Sequence, residues 1–466
     1  MTAIILLSVF GILNLFLGFL RSNKVLLPGA MLLLLVVFGA NLYDWNQDYA
    51  PFFNNMLVVN NYTVAFTGIV LLTTLLLLPF SRSYVAAGEV NLAEYYALLL
   101  FALVGAVMMI GYDHLIMLFV GIEILSICMY VLAGSSKRDA RSNEAALKYF
   151  LMGAFATGIL LFGIALLYGA TGTFALSQLA AAVAAPANAS LQPMLYIGIL
   201  MMIIGIGFKV SAAPFHFWTP DVYEGTPTFF TAFMSTVVKT AGFAAFLKLL
   251  AVALPAAQGF WLPTIQAMCA LTLLLGNVGA AVQTSVKRML AYSSVSHAGY
   301  LLIGLVASQG RLTGEAANGI FFYSLAYSIA TVAAFGVLKL VADHRQNDSY
   351  AGLNGLGKTN PLLAFSMTVA MLSLAGIPLT GGFFGKFFLL VAAAGQGHIG
   401  LVVFAVVMSM VGLYYYLRPL IAMYLQPAPE GATPVPVDGI QTATLVLLAL
   451  LTIVLGIAPG FLSGIL

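Results

Sequence analysis

Runs of about 20 consecutive apolar residues recur along this sequence with little between them, and each is long enough to cross the hydrocarbon core of a bilayer as a helix. They lie near 3–20, 26–43, 62–80, 93–111, 114–133, 144–169, 193–215, 227–253, 261–283, 287–307, 315–341, 361–393, 399–425 and 441–462. That predicts an all-α polytopic membrane protein of about 14 transmembrane helices. The runs are continuous rather than alternating, which excludes a β-barrel. Composition agrees. Only 7% of residues are charged and 62% are hydrophobic, against about 25% charged in soluble domains. Soluble enzymes, nucleic-acid binders and disordered scaffolds are excluded. Cys128 and Cys269 both sit in apolar runs, so neither a disulfide framework nor a cysteine-rich metal site is expected. The run 3–20 has no charged leader and no clear cleavage site, and reads as a retained first helix.

Lysine and arginine give the orientation. Alternate loops hold Arg21, Lys24, Arg82, Lys137, Arg138, Arg141, Lys287, Arg288, Arg345 and Lys358, while the opposite loops hold only Arg311. Basic loops stay on the cytoplasmic side, so both termini are expected on the periplasmic side of a prokaryotic inner membrane. No loop is long enough for a soluble domain. The loop at 426–440 is a stiff proline-rich connector. No phosphate-binding glycine motif follows a strand, and no cysteine spacing suits an iron–sulfur cluster.

Seven basic residues remain inside the runs: Lys148, Lys209, Lys239, Lys248, Lys339, Lys386 and Arg418. A charge at the centre of a spanning helix costs roughly 2.5–3.5 kcal/mol, so such residues are paired or line a wet path. Glu123 is the carboxylate near the middle of helix 5, and Lys239 holds the central place in helix 8. Lys209 in helix 7 and Lys386 in helix 12 each stand among glycines beside a proline, Pro214 and Pro378. Proline removes a backbone donor and disrupts the preceding turn. Broken backbone at membrane depth is tolerated only where protein or water satisfies it. These lysines therefore read as parts of a hydrated ion path.

Other positions carry blander readings. Lys248 lies near a helix end and is expected to snorkel toward the interface. Arg418 follows Tyr414-Tyr-Tyr and reads as an interfacial anchor. Lys148 stands one turn from Glu144, the spacing of a stabilising pair. Lys339 is a weaker candidate near the end of helix 11. His297, inside helix 10, reads either as a proton relay with Ser296 and Tyr300 or as a satisfied core histidine. His216 is placed at the cytoplasmic end of helix 7. His114, His344 and His398 are placed in or beside loops, and no histidines cluster at metal-ligand spacing.

Lys209 and Lys386 stand in broken helices five positions apart in order, so the two helices cross the membrane in opposite directions. That suggests two inverted five-helix repeats, helices 4–8 and 9–13, an arrangement found in transporters. The expected divisions are 1–92 (helices 1–3), 93–253 (first repeat), 261–425 (second repeat) and 441–466 (helix 14). A similar offset sets Glu123 against His297, and Lys239 near Arg418.

Four strings carry a family resemblance. They are Asp113-His-Leu-Ile-Met-Leu-Phe-Val-Gly-Ile-Glu, Ser142-Asn-Glu-Ala-Ala-Leu-Lys-Tyr-Phe-Leu, Lys209-Val-Ser-Ala-Ala-Pro-Phe-His-Phe-Trp-Thr-Pro-Asp-Val-Tyr-Glu-Gly, and Lys287-Arg-Met-Leu-Ala-Tyr-Ser-Ser-Val-Ser-His-Ala-Gly-Tyr. The chain resembles the antiporter-like membrane subunits of respiratory complex I, the NADH–quinone oxidoreductase. The second string, the helix 12 lysine and the stop after helix 14 favour the subunit N branch. The resemblance implies a proton-translocating subunit with no redox cofactor of its own. NADH, FMN, iron–sulfur clusters and quinone are then expected in partner subunits of the membrane and peripheral arms. It also implies proton-carrying roles for Glu123 and Lys209 as a pair, Lys239 as central carrier and Lys386 nearest the periplasmic exit, with His297 and Lys339 as weaker transfers. Mrp-type cation–proton antiporter subunits share these lysines and are the alternative.

Overall fold

The computed structural model describes residues 1–19, 25–82, 92–185, 189–462 and 464–466. The expected basic residues Arg21 and Lys24 lie outside the described residues. The spanning helices are helix 1 (Thr2–Leu17), helix 2 (Leu26–Tyr43), helix 3 (Asn61–Leu77), helix 4 (Leu92–Gly111), helix 5 (Leu115–Ala133), helix 6 (Ala140–Thr171) and helix 7 (Gln192–Lys209). Helix 8 (Thr228–Ala253) follows, then helix 9 (Gln258–Ala281), helix 10 (Val286–Ser308), helix 11 (Glu315–Arg345), helix 12 in two halves (Pro361–Ala375 and Gly381–Gly395), helix 13 (Ile399–Leu425) and helix 14 (Gly439–Ile457). Twelve of these are long and apolar enough to cross a membrane unaided; helix 1 and the two halves of helix 12 are shorter. The fold is the expected all-α, 14-helix membrane protein. Among the described residues the extended pairing consists of isolated bridges between loops.

Burial divides the helices into a centre and a rim. The most apolar windows of helices 8, 10 and 11 are 89%, 94% and 89% buried, whereas that of helix 13 is 28% buried. The central helices are also the polar ones. They carry Lys239, Ser294, His297, Ser324, Ser328 and Lys339, all buried. This inverts the soluble pattern: lipid takes the apolar side chains, and the protein's centre keeps the polar ones.

Both expected breaks are present, and each is built differently. Helix 7 ends at Lys209, earlier than the apolar run to 215 suggests. Ser211 then adopts a left-handed backbone and Ala213–Pro214 is a cis peptide. The freed Ala213 amide donates to Thr272 Oγ1 of helix 9 at 2.8 Å. A short helix, Trp218–Gly225, follows before helix 8. In helix 12 the first half ends at Gly376 with φ +84°, a conformation that favours glycine. The chain re-enters a helix at Gly381 so closely that a Cβ on Gly382 would overlap the Ser373 carbonyl. Helix 8 is itself irregular, with π turns at Met234–Val238, just before Lys239, and at Leu249–Ala253, just after Lys248. Such turns are rare and gather at functional sites.

The two stretches expected as inverted repeats, 93–253 and 261–425, have matching features. Helix 6 has 32 residues and helix 11 has 31. At the start of helix 5, His114 bridges to Ala175 beyond helix 6; at the start of helix 10, Ser285 bridges to Ser349 beyond helix 11. Counting crossings puts these two bridges on opposite faces, the first on the face that holds both termini. We call this the terminal face and the other the loop face.

Candidate functional site

Three lysines stand deep in the spans, and none of the three holds a carboxylate within ion-pair distance among the described residues. Lys209, 5% exposed, donates to Ser126 Oγ of helix 5 at 2.7 Å and lies 3.4 Å from the Tyr149 hydroxyl of helix 6. Glu123 is one turn before Ser126 on helix 5. Among the described residues no ion pair joins Glu123 and Lys209, the two residues expected to act together, in this conformation. Glu123 Oε1 is buried without a hydrogen-bond partner. Helix 5 places Glu123 and Ser126 on one face because residues three apart are neighbours there.

Lys239 is 2% exposed. Its ammonium donates to both the carbonyl and the hydroxyl of Ser294 in helix 10, the latter at 2.6 Å. One turn further along helix 10 is His297. Its Nδ1 is 2.5 Å from the Tyr323 hydroxyl of helix 11, and its Nε2 is 2.9 Å from the Tyr416 hydroxyl of helix 13. Tyr416 in turn hydrogen-bonds Ser293. The partners of His297 are thus two tyrosines of neighbouring helices, not Ser296 and Tyr300 of its own. Tyr300 serves the next lysine. Lys386 Nζ lies 4.6 Å from the Tyr300 ring centre. It donates to the Ala375 carbonyl at the end of the first half of helix 12, 2.9 Å away, and to Ser409 Oγ of helix 13 at 3.1 Å.

Helix 11 adds a row of hydroxyls. Ser324, Tyr327, Ser328 and Thr331 have the spacing of one helical face and are all buried, and the Ser324 and Ser328 hydroxyls have no protein hydrogen-bond partner among the described residues. The Tyr327 ring packs 4.6 Å from the His297 ring, and its hydroxyl lies beside Ser235, Ser294 and Thr331. A buried hydroxyl left unpaired costs about 1–3 kcal/mol. Two such hydroxyls in a row of polar side chains are the setting in which buried water is retained. Tyr223, of the short helix after the helix 7 break, lies beside both Ser294 and Ser211. Polar groups thus run from the helix 7 break past Lys239 and His297 to the helix 12 break.

Lys339 is 3% exposed and is closed onto Asp343 at 2.5 Å. Both line a polar cavity of about 610 Å³ on the loop face, with Asp139, Glu224, Lys287 and Asp348. Lys287, expected in a loop, is instead 7% exposed, donating to the carbonyls of Glu224 and Thr226 at 2.8 and 2.6 Å. Arg288 pairs with both Glu224 and Asp221, and Lys148 bridges Glu144 at 2.7 Å and Asp221 at 3.2 Å. The Lys148–Glu144 pair is the expected one. Burial alone would raise the Asp221 carboxyl, but hydrogen bonds from Lys148 and Arg288, and their charges, hold it below the ordinary carboxylate value.

One lesser expectation changes. Lys248 does not snorkel: it is 3% exposed and turned toward Asp113. His114, half-buried, accepts from the Ile116 amide as the cap of helix 5. Arg418 binds the carbonyls of Ala281 and Gln283 over the Tyr350 ring, as an anchor at a helix end does. His344 and His398 hydrogen-bond Thr433 and Gln266. Among the described residues no three His, Cys, Asp or Glu side chains converge as a metal-binding set. Tyr323, Tyr327, Tyr416 and the acceptors Ser126 and Ser294 were not singled out in the sequence. The signal available for them was the spacing of Ser293, His297 and Tyr300 along one face of helix 10.

Comparison with known proteins matches residues 113–412 to the model described as NADH:quinone oxidoreductase/Mrp antiporter, TM. NADH-quinone oxidoreductase subunit N of Cytophaga hutchinsonii is 41% identical over 466 residues, covering 100% of this chain and 99% of the relative. The subunit N of Trichlorobacter lovleyi is 42% identical, covering 98% and 93%. A chain of respiratory complex I from Thermus thermophilus superposes with a TM-score of 0.83 at 35% identity, covering 98% and 97%. A chain of the Mrp complex from Dietzia sp. DQ12-45-1b shares the fold at 24% identity with a TM-score of 0.83. The chain belongs to the NADH:quinone oxidoreductase/Mrp antiporter transmembrane family, on its subunit N branch.

Proposed function

We propose that this chain moves protons across a prokaryotic inner membrane as a membrane-arm subunit of NADH–quinone oxidoreductase, with both termini on the periplasmic side. The energy comes from redox chemistry in partner subunits, where NADH, FMN, iron–sulfur clusters and quinone act. The observation that carries this reading is the set Lys209, Lys239 and Lys386. Each is buried in the membrane, and each is held by hydroxyls and carbonyls. A lysine fixed by a carboxylate keeps its proton as part of a static pair. A lysine held by neutral dipoles sits where a change in neighbouring charge decides whether the proton stays.

The proposed roles follow the geometry. Glu123 and Lys209 form the switch of the first repeat (93–253). When they close on one another Lys209 stays charged, and when they part, as here, its proton is free to leave. Lys239 is the central carrier. His297, between Tyr323 and Tyr416, passes protons on toward the second repeat (261–425), and Lys386 delivers them nearest the terminal face. Lys339 and the loop-face cavity feed the hydroxyl row of helix 11. The scale is workable. Moving one charge against 100 mV costs about 2.3 kcal/mol, less than two pKa units at about 1.36 kcal/mol each. Likeness to the Mrp chain falls to 24% identity and covers the fold alone, whereas full-length identity near 40% lies with subunit N.

The test is Lys239→Met in the assembled complex, reconstituted into vesicles. Proton pumping should be lost while assembly is kept. Normal pumping by the assembled variant defeats the reading. Sodium-dependent exchange without NADH would turn it to the antiporter.

A further inference from the structure

Lys248 is a buried lysine that the proposed route does not use. Lys248 stands nine residues beyond Lys239 on helix 8, about 13.5 Å further toward the terminal face. Its side chain is 4% exposed, and its carboxylate neighbour Asp113 is 28% exposed. Asp113 belongs to the short link between helices 4 and 5, and backbone bonds hold that link from two sides. The Asp113 amide donates to the Met56 carbonyl, and its carbonyl accepts from Leu176. Val58 donates to Gly111, and Leu115 to Phe174. The part-exposed carboxylate is thus held by a backbone-bonded link beside the buried lysine.

The pair is nevertheless open. Lys248 Nζ is 3.8 Å from Asp113 Oδ1, too far for a hydrogen bond, and 3.5 Å from the Gly111 carbonyl. Its third neighbour is the face of Tyr112, 5.4 Å from the ring centre. Pairs elsewhere in this chain close fully, Lys339 on Asp343 at 2.5 Å and Lys148 on Glu144 at 2.7 Å. A lysine has three donors to satisfy, and a pair kept for strength alone would close. The π turn Leu249–Ala253 begins directly after Lys248. Tyr62 and Tyr112 donate to the Ala244 and Ala245 carbonyls, at 2.7 and 2.9 Å, and hold the preceding turn in place.

We propose that Asp113 and Lys248 form a further proton-exchange site, open to the terminal face, whose charge state biases Lys239. The inference rests on the proton-translocating reading above. The exchange is simple. An N–H bond of the Lys248 ammonium breaks as an O–H bond forms on the Asp113 carboxylate, and that proton then passes to water on the terminal face, or the reverse. No redox partner is involved. A positive charge on Lys248 disfavours one on Lys239, and over this distance inside protein the effect changes a protonation equilibrium several-fold. Loading of Lys248 from the terminal face would therefore act as back-pressure on the central carrier. The groups that face the site are Asp113, Tyr112 and His114 from the 4–5 link and Tyr62 from helix 3. The helix Leu176–Ala184 packed on the π turn contributes no charge. The Met1 amine and Asp44 border a small cavity that reaches Gly111.

The experiment uses the whole complex in vesicles with the pH of the terminal-face compartment varied independently. Lys248→Met and Asp113→Asn are each expected to flatten the dependence of pumping on that pH, while Asp113→Glu retains it. A wild-type pH dependence in both neutral variants overturns the proposal. So does full recovery of that dependence in Lys248→Met/Asp113→Leu, which would make the pair structural. If Lys248→Met fails to assemble, the part-exposed Asp113→Asn decides alone. Lys239→Met is measured beside them. Pumping that survives in Lys239→Met defeats the translocation reading itself, whereas its loss together with an unchanged Lys248→Met profile defeats only this site.

Discussion

The two broken helices answer the same problem with different materials. In the first repeat, Lys209 is the last residue before the break, and its ammonium turns sideways to Ser126 of a helix that also carries Glu123. In the second, Lys386 stands after the break and reaches back across it to the Ala375 carbonyl. Where helix 5 offers a carboxylate, helix 10 offers His297, held by two tyrosines. The frame is duplicated, in helix length and in loop bridges, but the charge is not. The first repeat has a partner able to trap a proton on its lysine. The second has dipoles alone, which suits release. Under the proposed function, two half-paths of opposite direction would need such a difference, since two identical ones would run equally well in either direction.

Removing each lysine in turn sharpens this comparison and should give the largest effects. Lys386→Met should abolish pumping, and no neutral substitution on helix 10 should restore it, because no counter-charge is left behind. Lys209→Met should also abolish pumping, and it removes a nearby cation that compensates the half-buried Glu123 carboxylate. A carboxylate away from water that loses its compensating charge is destabilised, so this variant should also assemble poorly. Adding Glu123→Gln should recover assembly without recovering pumping. Yield of the intact complex and the proton-to-electron ratio are the two measurements. Rescue of the helix 12 variant by a neutral change on helix 10, or no rescue of the helix 7 variant, would remove the distinction.

A smaller effect concerns Glu123 alone. Glu123→Gln keeps the shape and removes the charge that could close on Lys209, whereas Glu123→Asp keeps the charge on a shorter arm. Pumping should fall further in the glutamine variant. Equal losses would assign Glu123 to packing and leave the two repeats alike in kind.

The sequence made the frame legible and hid the partners, for a physical reason. Spans follow from runs of about 20 apolar residues, and breaks from proline and glycine beside Lys209 and Lys386. All of this is local information. Ser126, Ser294, Tyr323 and Tyr416 gain their meaning from which helix lies beside which, and that is non-local. Tyr416 is the clearest case. In Tyr414-Tyr-Tyr next to Arg418 it has the look of an interfacial belt, yet it is 2% exposed and bonded to His297, while Tyr414 is 60% exposed. Lys248 misleads in the same way. Its place near a helix end suggests a free head group, and only the fold of the 4–5 link over it shows why it is buried. The π turns of helix 8 left no mark in composition at all.

The smallest effect tests the loop-face network that ties the first break to the second repeat. Asp221 links Lys148 of helix 6 to Arg288 of helix 10, and among the described residues no such ion-pair clamp stands beside Gly376. Its carboxyl is held below the ordinary value of 3.8 by those two cations, against the opposing effect of burial. A depressed carboxylate contributes stability that is present above the unfolded value and is lost as pH falls through the folded one. At 42% side-chain exposure the contribution is modest, since solvent screens the pairs. Asp221→Asn should therefore lower the thermal midpoint of the purified complex slightly at pH 7, and the gap from the unaltered protein should shrink as pH falls below about 4. A gap that is constant with pH would mean that the side chain acts through shape or hydrogen bonding. In that case the first break, like the second, is held by its backbone and not by charge.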